Sequence, residues 1–337
     1  MSGVDDRLTI IVGPAGHGVV EHALVVADAG GGRRMQVARP EAITSQGGGV
    51  GAGVNHLHYT DALFGPTTDE AARVFVHLAG SLGGRVVVTL HDVPLGDDAR
   101  DRRRAAAYRA VAATADGLIV ASGHEAAHAR RAGVTAPLTV IPLPVIERAV
   151  SPPLAGDCPT LSVGVLGYVY PGKGHAEVLA AAATLPADVG VVAGGRASDG
   201  HEDLAVTLAT AAARRGRSFT VTGWLDEPAL IRFLGSTTVP VVAAPAASAS
   251  ASLNTWIGAG RRPIVVATDY TVEYAARAAA LVHLVPSGQL ASAMAAALSD
   301  PERTWCTSPV PEALTLAAVA ARHDRVLGDA LSGRQAC

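Results

Sequence analysis

Short β-branched runs alternate with alanine-rich stretches of helical period along almost the entire chain. In the first half the runs at 8–12, 35–38, 54–58, 86–90, 117–120 and 138–141 read as strands; in the second half those at 161–166, 189–193, 219–222, 239–243, 264–267 and 281–285 do so. Strands separated by helical segments are what parallel sheets with crossover helices produce, so the pattern predicts a doubly wound α/β chain. Between the two series, residues 143–160 hold Pro144, Pro152, Pro153 and Pro159 and show no periodic apolar pattern, as a connection does. This reading gives a Rossmann-like half over residues 1–145, a linker over 146–160, a second Rossmann-like half over 161–310 and a terminal segment over 311–337. The terminal segment, from Glu312 to Leu331, reads as a helix.

Composition narrows the function classes. Of 337 residues, 49% are hydrophobic and 17% charged, which excludes a disordered chain. A formal net charge of −3 provides no basic surface for tracking a nucleic-acid duplex. The longest apolar runs, such as 239–247, are interrupted by proline and fall well short of the roughly 20 residues that cross a bilayer. Cys158, Cys306 and Cys337 lie far apart in no metal-ligand spacing, and their odd number argues against a disulfide framework. The apolar run at 8–12 is too short for a secretory leader. A cytoplasmic protein, free to form oligomers, is expected.

Open α/β sheets bind ligands at the carboxyl ends of their strands, and two such halves facing one another would enclose a cleft. The chemistry-bearing residues fall at those ends: 13–18, His56-Leu57-His58, His91-Asp92, 167–174, Gly194-Gly195-Arg196, Gly223-Trp224 and 245–252. Gly167-Tyr168-Val169-Tyr170-Pro171-Gly172-Lys173-Gly174 follows a strand and opens a helix, where free backbone N–H groups and the helix dipole favour an anion. A phosphate site is the inference. Gly174 stands where a Walker A loop has the Ser or Thr that holds magnesium, so a P-loop NTPase is an alternative, and a tight turn with a solvated lysine is another. Residues 13–18 form the matching glycine-rich turn of the first half. His56 and His58 share one strand face with Asp61 following, and His91 ends an apolar strand, where a histidine can donate to a sugar hydroxyl or a phosphate. His124-Glu125-Ala126-Ala127-His128 matches the H-E-x-x-H zinc pattern but lacks a third ligand at metzincin spacing, and it reads as a solvated helix face. Arg102, Arg103 and Arg104, preceded by Asp97, Asp98 and Asp101, read as a solvated helix start.

Taken in order, several of these markers resemble the donor domain of family 4 glycosyltransferases of the GT-B fold. They are the Lys-Gly loop at 167–174, Ala193-Gly194-Gly195, Val221-Thr222-Gly223-Trp224-Leu225, Ala243-Ala244-Pro245 and the stretch from Gly260 to Asp269. In the first half, His56-Leu57-His58 and Thr89-Leu90-His91-Asp92 are similar to the family's cleft histidines. The resemblance implies two Rossmann-like domains facing across a cleft, a terminal helix that packs back toward the first of them, and transfer of a sugar, with retention, from a nucleotide diphosphate sugar to a saccharide. No protein-bound metal is implied, although Mg2+ can accompany the donor diphosphate. Lys173 then matches the diphosphate lysine, and Tyr168 replaces an arginine often found there. Gly16, Gly18, Gly167, Tyr168, Gly195, Gly223, Ser248, Ser250 and Ser252 are expected to line the donor, and the Leu225 backbone to read the base. His91 matches the histidine that contacts the transferred sugar and is expected, with Lys173, to be catalytic; His56, His58 and Asp61 are expected on the acceptor.

One departure matters. The family usually carries a pair of glutamates after the proline loop, but residues 245–260 contain no acid, which leaves Asn254 or Thr255 at the ribose position. A nucleotide- or sugar-binding protein without turnover is therefore the alternative to an enzyme. Similarity to actinobacterial mannosyltransferases of polysaccharide biosynthesis, those of methylmannose type among them, implies GDP-mannose as donor.

Overall fold

The computed structural model describes residues 6–44, 52–151 and 161–333. Cys158, Cys337 and residues 152–160 of the expected linker lie outside the described residues. In chain order the elements are β1 (Arg7–Val12), α1 (Gly18–Ala29), β2 (Arg33–Val37), α2 (Glu41–Thr44), β3 (Val54–Tyr59), α3 (Asp61–Phe64), α4 (Thr68–Ser81), β4 (Arg85–Leu90), α5 (Ala99–Ala112), β5 (Gly117–Val120), α6 (Gly123–Arg131) and β6 (Leu138–Val140). The second series is β7 (Ser162–Leu166), α7 (His175–Ala182), β8 (Gly190–Gly194), α8 (Glu202–Ala213), β9 (Phe219–Val221), α9 (Glu227–Ser236), β10 (Val239–Val242), α10 (Ala251–Gly258), β11 (Ile264–Val266), α11 (Asp269–Ala278), β12 (His283–Val285) and α12 (Leu290–Ser299), with α13 (Leu316–Leu331) last. The run at 281–285 is shorter than its pattern suggests, because residues 279–281 close a 3-10 turn before β12 begins at His283.

The chain divides into two compact units, residues 1–144 together with 312–337, and residues 145–311. Each contains a six-stranded parallel sheet among the described residues, ordered β2-β1-β3-β4-β5-β6 in the first unit and β12-β11-β10-β7-β8-β9 in the second. Chain progression reverses between β1 and β3 in the first sheet and between β7 and β10 in the second. At such switch points the flanking loops part and leave a crevice beyond the strand ends.

One face of the first sheet packs an aromatic group, Tyr59, Phe64, Phe75 and Tyr108, against α4 and α5. On the other face Val26, Val54, Val87, Ile119 and Ile141 meet Val319, Val326 and Leu327 of α13, so the terminal helix completes a core built from residues far earlier in the chain. Arg7 Nη1 pairs with Asp324 Oδ1 at 3.0 Å along this contact. In the second unit, β7, β8, β10 and β11 bury a valine-rich core under α7 and α12. Residues 146–148 lie against α10: the Arg148 N–H donates to Gly258 O at 2.7 Å, and a side chain at Gly258 would strike the Ile146 carbonyl.

Two surface expectations are corrected. The His124–His128 segment is not a solvated face: Glu125 is buried, its Oε2 accepts the Ala121 N–H at 2.8 Å, and the Ser122 hydroxyl accepts the Glu125 N–H at 2.9 Å. The acid of the apparent zinc motif is thus engaged in a helix-start cap. Arg104 is not simply solvated either, since its Nε donates to Asp61 Oδ2 at 3.0 Å in a partly buried ion pair.

Candidate functional site

Lys173 is the sole lysine among 337 residues, a compositional signal that points to this position more directly than the loop pattern does. Its loop leaves β7 with Gly167 at φ +116° and reaches α7 through Gly174 at φ +99°. Both angles lie in the left-handed region, where a side chain is strained. A Cβ on Gly167 would lie 2.9 Å from Lys173 Cε, so the absence of a side chain there makes room for the lysine stem. The ammonium donates to Ser252 Oγ at 3.1 Å, and Ser252 shares a 3.2 Å hydroxyl contact with Ser250, the N-cap of α10. No carboxylate pairs with it among the described residues, and burial lowers its pKa to about 8. Lys173 follows β7 and Ser252 follows β10, so the pair sits at the switch point of the second sheet, between the N-termini of α7 and α10. A partly desolvated ammonium with no carboxylate partner among the described residues, beside two helix N-termini, has the chemistry to receive an anion.

Around it, Gly195 has φ +157° and packs so tightly on Gly167 that a Cβ would strike the Gly167 carbonyl; its N–H donates to Thr222 Oγ1 at 3.0 Å. Gly223 has φ +78°, Leu225 is half-buried and Trp224 is 59% exposed. Tyr168, which stands where an arginine is expected, carries the Arg196 guanidinium 5.0 Å above its ring centre, with the Trp224 ring centre 6.5 Å away. The positive charge thus arrives from the end of β8 instead. Arg196, Thr222 and Trp224 were not among the expected donor residues.

Several expected donor residues are occupied otherwise. Asn254 is buried and its Oδ1 accepts from the Tyr274 hydroxyl at 2.8 Å; Thr255 Oγ1 donates back to Ala251 O at 2.9 Å. Asn254 belongs to the inward face of α10, with Leu253 and Ile257, so it cannot serve a ribose at the surface. Ser248 is buried, and Ser250 caps α10 by accepting the Leu253 N–H at 3.2 Å. In the first unit the Gly16 N–H, expected on a diphosphate, donates to Glu21 Oε1 at 2.9 Å. Gly18 is the first residue of α1, whose N-cap is the His17 ring, accepting the Val19 N–H at 3.3 Å.

The histidines of the first unit converge. His56 and His58 project from one face of β3, their ring centres 4.5 Å apart; His91 follows β4, His22 lies on α1 and His323 on α13. His58 Nδ1 and His91 Nε2 share a hydrogen bond at 3.0 Å, and His56 Nε2 bonds Thr89 Oγ1 at 2.8 Å. His22 stands 5.5 Å from both the His58 and the His91 ring centres, and the His323 ring centre is 5.4 Å from that of His56. One ring nitrogen from each of His22, His58 and His91 lies within 4.8 Å of the others. Burial first, then repulsion from neighbouring imidazoles, lowers these pKa values: to about 3 for His22, His56 and His91, and well below the usual range for His58 and His323. All five rings are neutral at pH 7. His56 and His58 are buried rather than acceptor-facing, because their strand is covered on both sides. Asp61, the other expected acceptor residue, is held by Arg104 and by the Thr68 hydroxyl at 2.9 Å. Burial pushes its pKa up, but those two partners outweigh burial and leave it lowered. His22 and His323 escape sequence reading because they come from helices far from β3 in the chain.

Two doubly wound sheets, each with its polar side chains gathered at the switch point, define the GT-B fold class. Solved structures agree. HepE of Anabaena, solved with UDP and glucose, is 13% identical with a TM-score of 0.68 over 98% of this chain and 98% of that one. Its complex with UDP-glucose gives 0.70 at 12% identity over 97% of this chain and 99% of that one. The lipopolysaccharide outer core galactosyltransferase WaaB, in apo form, gives 0.58 at 10% identity over 97% and 99%. At such identities the likeness establishes the fold. No protein-family model matches the chain, and no curated protein matches it by sequence at a significant level.

Proposed function

We propose that the protein is a nucleotide-sugar-dependent glycosyltransferase that passes a hexosyl group to a saccharide acceptor. The observation that carries this reading is Lys173, the chain's single lysine, held without a carboxylate partner between two helix N-termini at a switch point. Its ammonium and the amides that open α7 and α10 hold the diphosphate, and they grip it harder as charge develops on the departing group. The bond from the anomeric carbon to the diphosphate breaks, the acceptor oxygen bonds to that carbon, and the acceptor's proton passes to the leaving phosphate. Retention is the stereochemistry that the sequence resemblance implies. Mg2+ enters, if at all, with the diphosphate as part of the substrate. The Tyr168–Arg196–Trp224 group and the Leu225 backbone flank the glycine turns and suit a nucleoside.

HepE, of nearly equal length, is solved with UDP-glucose, which supports a UDP-sugar donor; GDP-mannose is the donor that the sequence resemblance implies. Purified protein incubated with radiolabelled UDP-glucose, UDP-galactose, UDP-N-acetylglucosamine and GDP-mannose, each with short gluco- and manno-oligosaccharides, tests both. Labelled oligosaccharide with any pair, reduced at least tenfold in Lys173→Ala, is expected. A second reading, binding without turnover, is favoured by the acid-free segment 245–260 and by the inward position of Asn254. It predicts tight nucleotide uptake by calorimetry with neither transfer nor hydrolysis. No uptake of UDP, GDP or ADP at all would sink both readings.

A further inference from the structure

His91 is the residue of the first unit that the sequence resemblance sets on the transferred sugar, and the backbone around it is built to hold one ring direction. Its N–H donates to Tyr59 O at 2.8 Å, and its carbonyl accepts from the buried Tyr108 hydroxyl at 2.6 Å. Asp92, next in the chain, has φ +52° and is the one non-glycine residue in the left-handed region among the described residues. Such a conformation persists where its surroundings over-determine it. Here the Thr60 hydroxyl donates to Asp92 Oδ2 at 2.9 Å, and Arg104 Nη2 donates to Asp92 O at 2.8 Å.

What the ring offers is decided by where its proton sits. His58 Nδ1 and His91 Nε2 share a hydrogen bond at 3.0 Å, so one of these nitrogens donates and the other accepts. Burial first, then neighbouring imidazoles, keeps both rings neutral at pH 7, so each carries a single N–H. Of the two remaining nitrogens, His58 Nε2 is sealed from water without a hydrogen-bond partner, whereas His91 Nδ1 borders water-accessible space and has no partner among the described residues. A proton on His58 Nε2 would be a buried N–H left unpaired, the rarer kind of orphan in folded proteins. The His58 proton therefore sits on Nδ1 and is donated to His91 Nε2, which leaves His91 its own proton on Nδ1.

We propose that His58 is a positioning residue: it fixes the tautomer of His91 so that His91 Nδ1 presents an N–H to an oxygen of the transferred sugar. The inference rests on the transferase reading and deepens it. In this tautomer the open nitrogen of His91 is a donor only. It cannot take the acceptor's proton, and that proton is left to the departing phosphate.

Nitrogen NMR reads the tautomer without any substrate. Full-length protein with 15N in its histidine rings is followed by long-range 1H–15N correlation at pH 7.5, with His58→Asn and His91→Asn used to assign the two rings. Free imidazole favours the proton on Nε2, so an Nδ1–H form of both His58 and His91 is the diagnostic result expected. His58→Leu removes the donor and should return His91 to the Nε2–H form. His58→Asn, whose amide can donate from about the place of Nδ1, should keep the His91 proton on Nδ1. In the transfer assay His58→Leu should lower kcat about tenfold, His58→Asn should restore most of it, and UDP affinity should stay within about twofold in both. An imidazolium at either ring, or His91 carrying its proton on Nε2 in the wild-type protein, overturns the proposal, as does a His91 tautomer unmoved by His58→Leu. Calorimetry of UDP on the same samples reads Lys173 in the second unit. A wrong tautomer with UDP uptake intact defeats this inference alone, and loss of UDP uptake with the expected tautomers defeats the transferase reading.

Discussion

A half-buried ammonium with no carboxylate partner among the described residues carries an electrostatic penalty that an anionic ligand would relieve, and in this chain it can be watched without interference. Lys173 is the only lysine, so amine labelling with 13C-formaldehyde gives one side-chain resonance besides any α-amino signal. That resonance is expected to titrate near pH 8, since burial has lowered the pKa to about 8. An anion beside the charged form stabilises it, so saturating UDP should move the midpoint upward. The sign for binding follows: the lysine is charged below about pH 8 and neutral above it, so UDP affinity should fall between pH 7.5 and 9.5, and Lys173→Met should flatten that fall. Arg261 belongs to a different class of buried cation. Its guanidinium donates to Thr304 O, Leu234 O, Thr238 O and the Thr304 hydroxyl and stacks 4.1 Å from the Trp305 ring centre, with no ligand-facing atom required. Arg261→Met leaves those buried acceptors unpaired, so a loss of roughly 3 kcal/mol or more in urea unfolding is expected, without a change in the Lys173 midpoint. Sequence reading singled out Lys173 because a glycine-rich turn after a strand is a local pattern. It misplaced Asn254, because counting back from Gly260 ignores helical phase. Leu253, Asn254 and Ile257 recur at the spacing of one helix face, which was the available signal that Asn254 points inward.

At the scale of elements, strands were legible and partnerships were not. Every observed strand overlaps a run read from the sequence, most clearly the central strands covered on both faces, such as β4, β5, β7 and β10, which are apolar at nearly every position. β3 departs from this: it is fully buried yet holds Asn55, His56 and His58 among its six residues. Which helix supplies the other histidines is decided by the sheet order, which places α1 and β4 beside β3 but leaves no mark in the local sequence. The junction of β7 and α7 shows how tightly an element start can be specified. Gly174 caps α7 in a left-handed conformation, and a Cβ there would lie 2.5 Å from the Ala243 carbonyl carbon, at the end of β10. Gly174→Ala therefore combines an unfavourable φ with a backbone clash, and a loss of roughly 2–3 kcal/mol is expected from the two together. The substitution moves Lys173 and the amides that open α7 as one piece. UDP affinity should drop at least tenfold even at temperatures where circular dichroism shows the variant folded; unchanged affinity would mean that the α7 start does not touch the anion.

For the molecule as a whole, the chain's order and its division into units do not coincide. The first unit is closed by residues 312–337, after the complete second unit has been passed. Val319, Val326 and Leu327 of the terminal helix cover the face of the first sheet formed by Val54, Val87 and Ile119. Burying three such side chains stabilises by about 1.5–3 kcal/mol each. Their sum is comparable with the 5–15 kcal/mol that holds a typical domain together. Ending the chain at Pro311 also removes His323 from the histidine group and Asp324 from its ion pair with Arg7. The second unit keeps all of its own core, because residues 145–311 contain every strand of its sheet and the helices α7, α8 and α12 that pack on it. Truncation after Pro311 should consequently unfold the first unit and spare the second. Limited proteolysis of the truncated chain is expected to leave a resistant fragment beginning near residue 145, which still binds UDP through Lys173 within about threefold of the full-length value. A truncated chain that melts like the full-length protein would show that the terminal helix is dispensable to the first core. Loss of the resistant fragment would show that the second unit depends on the first.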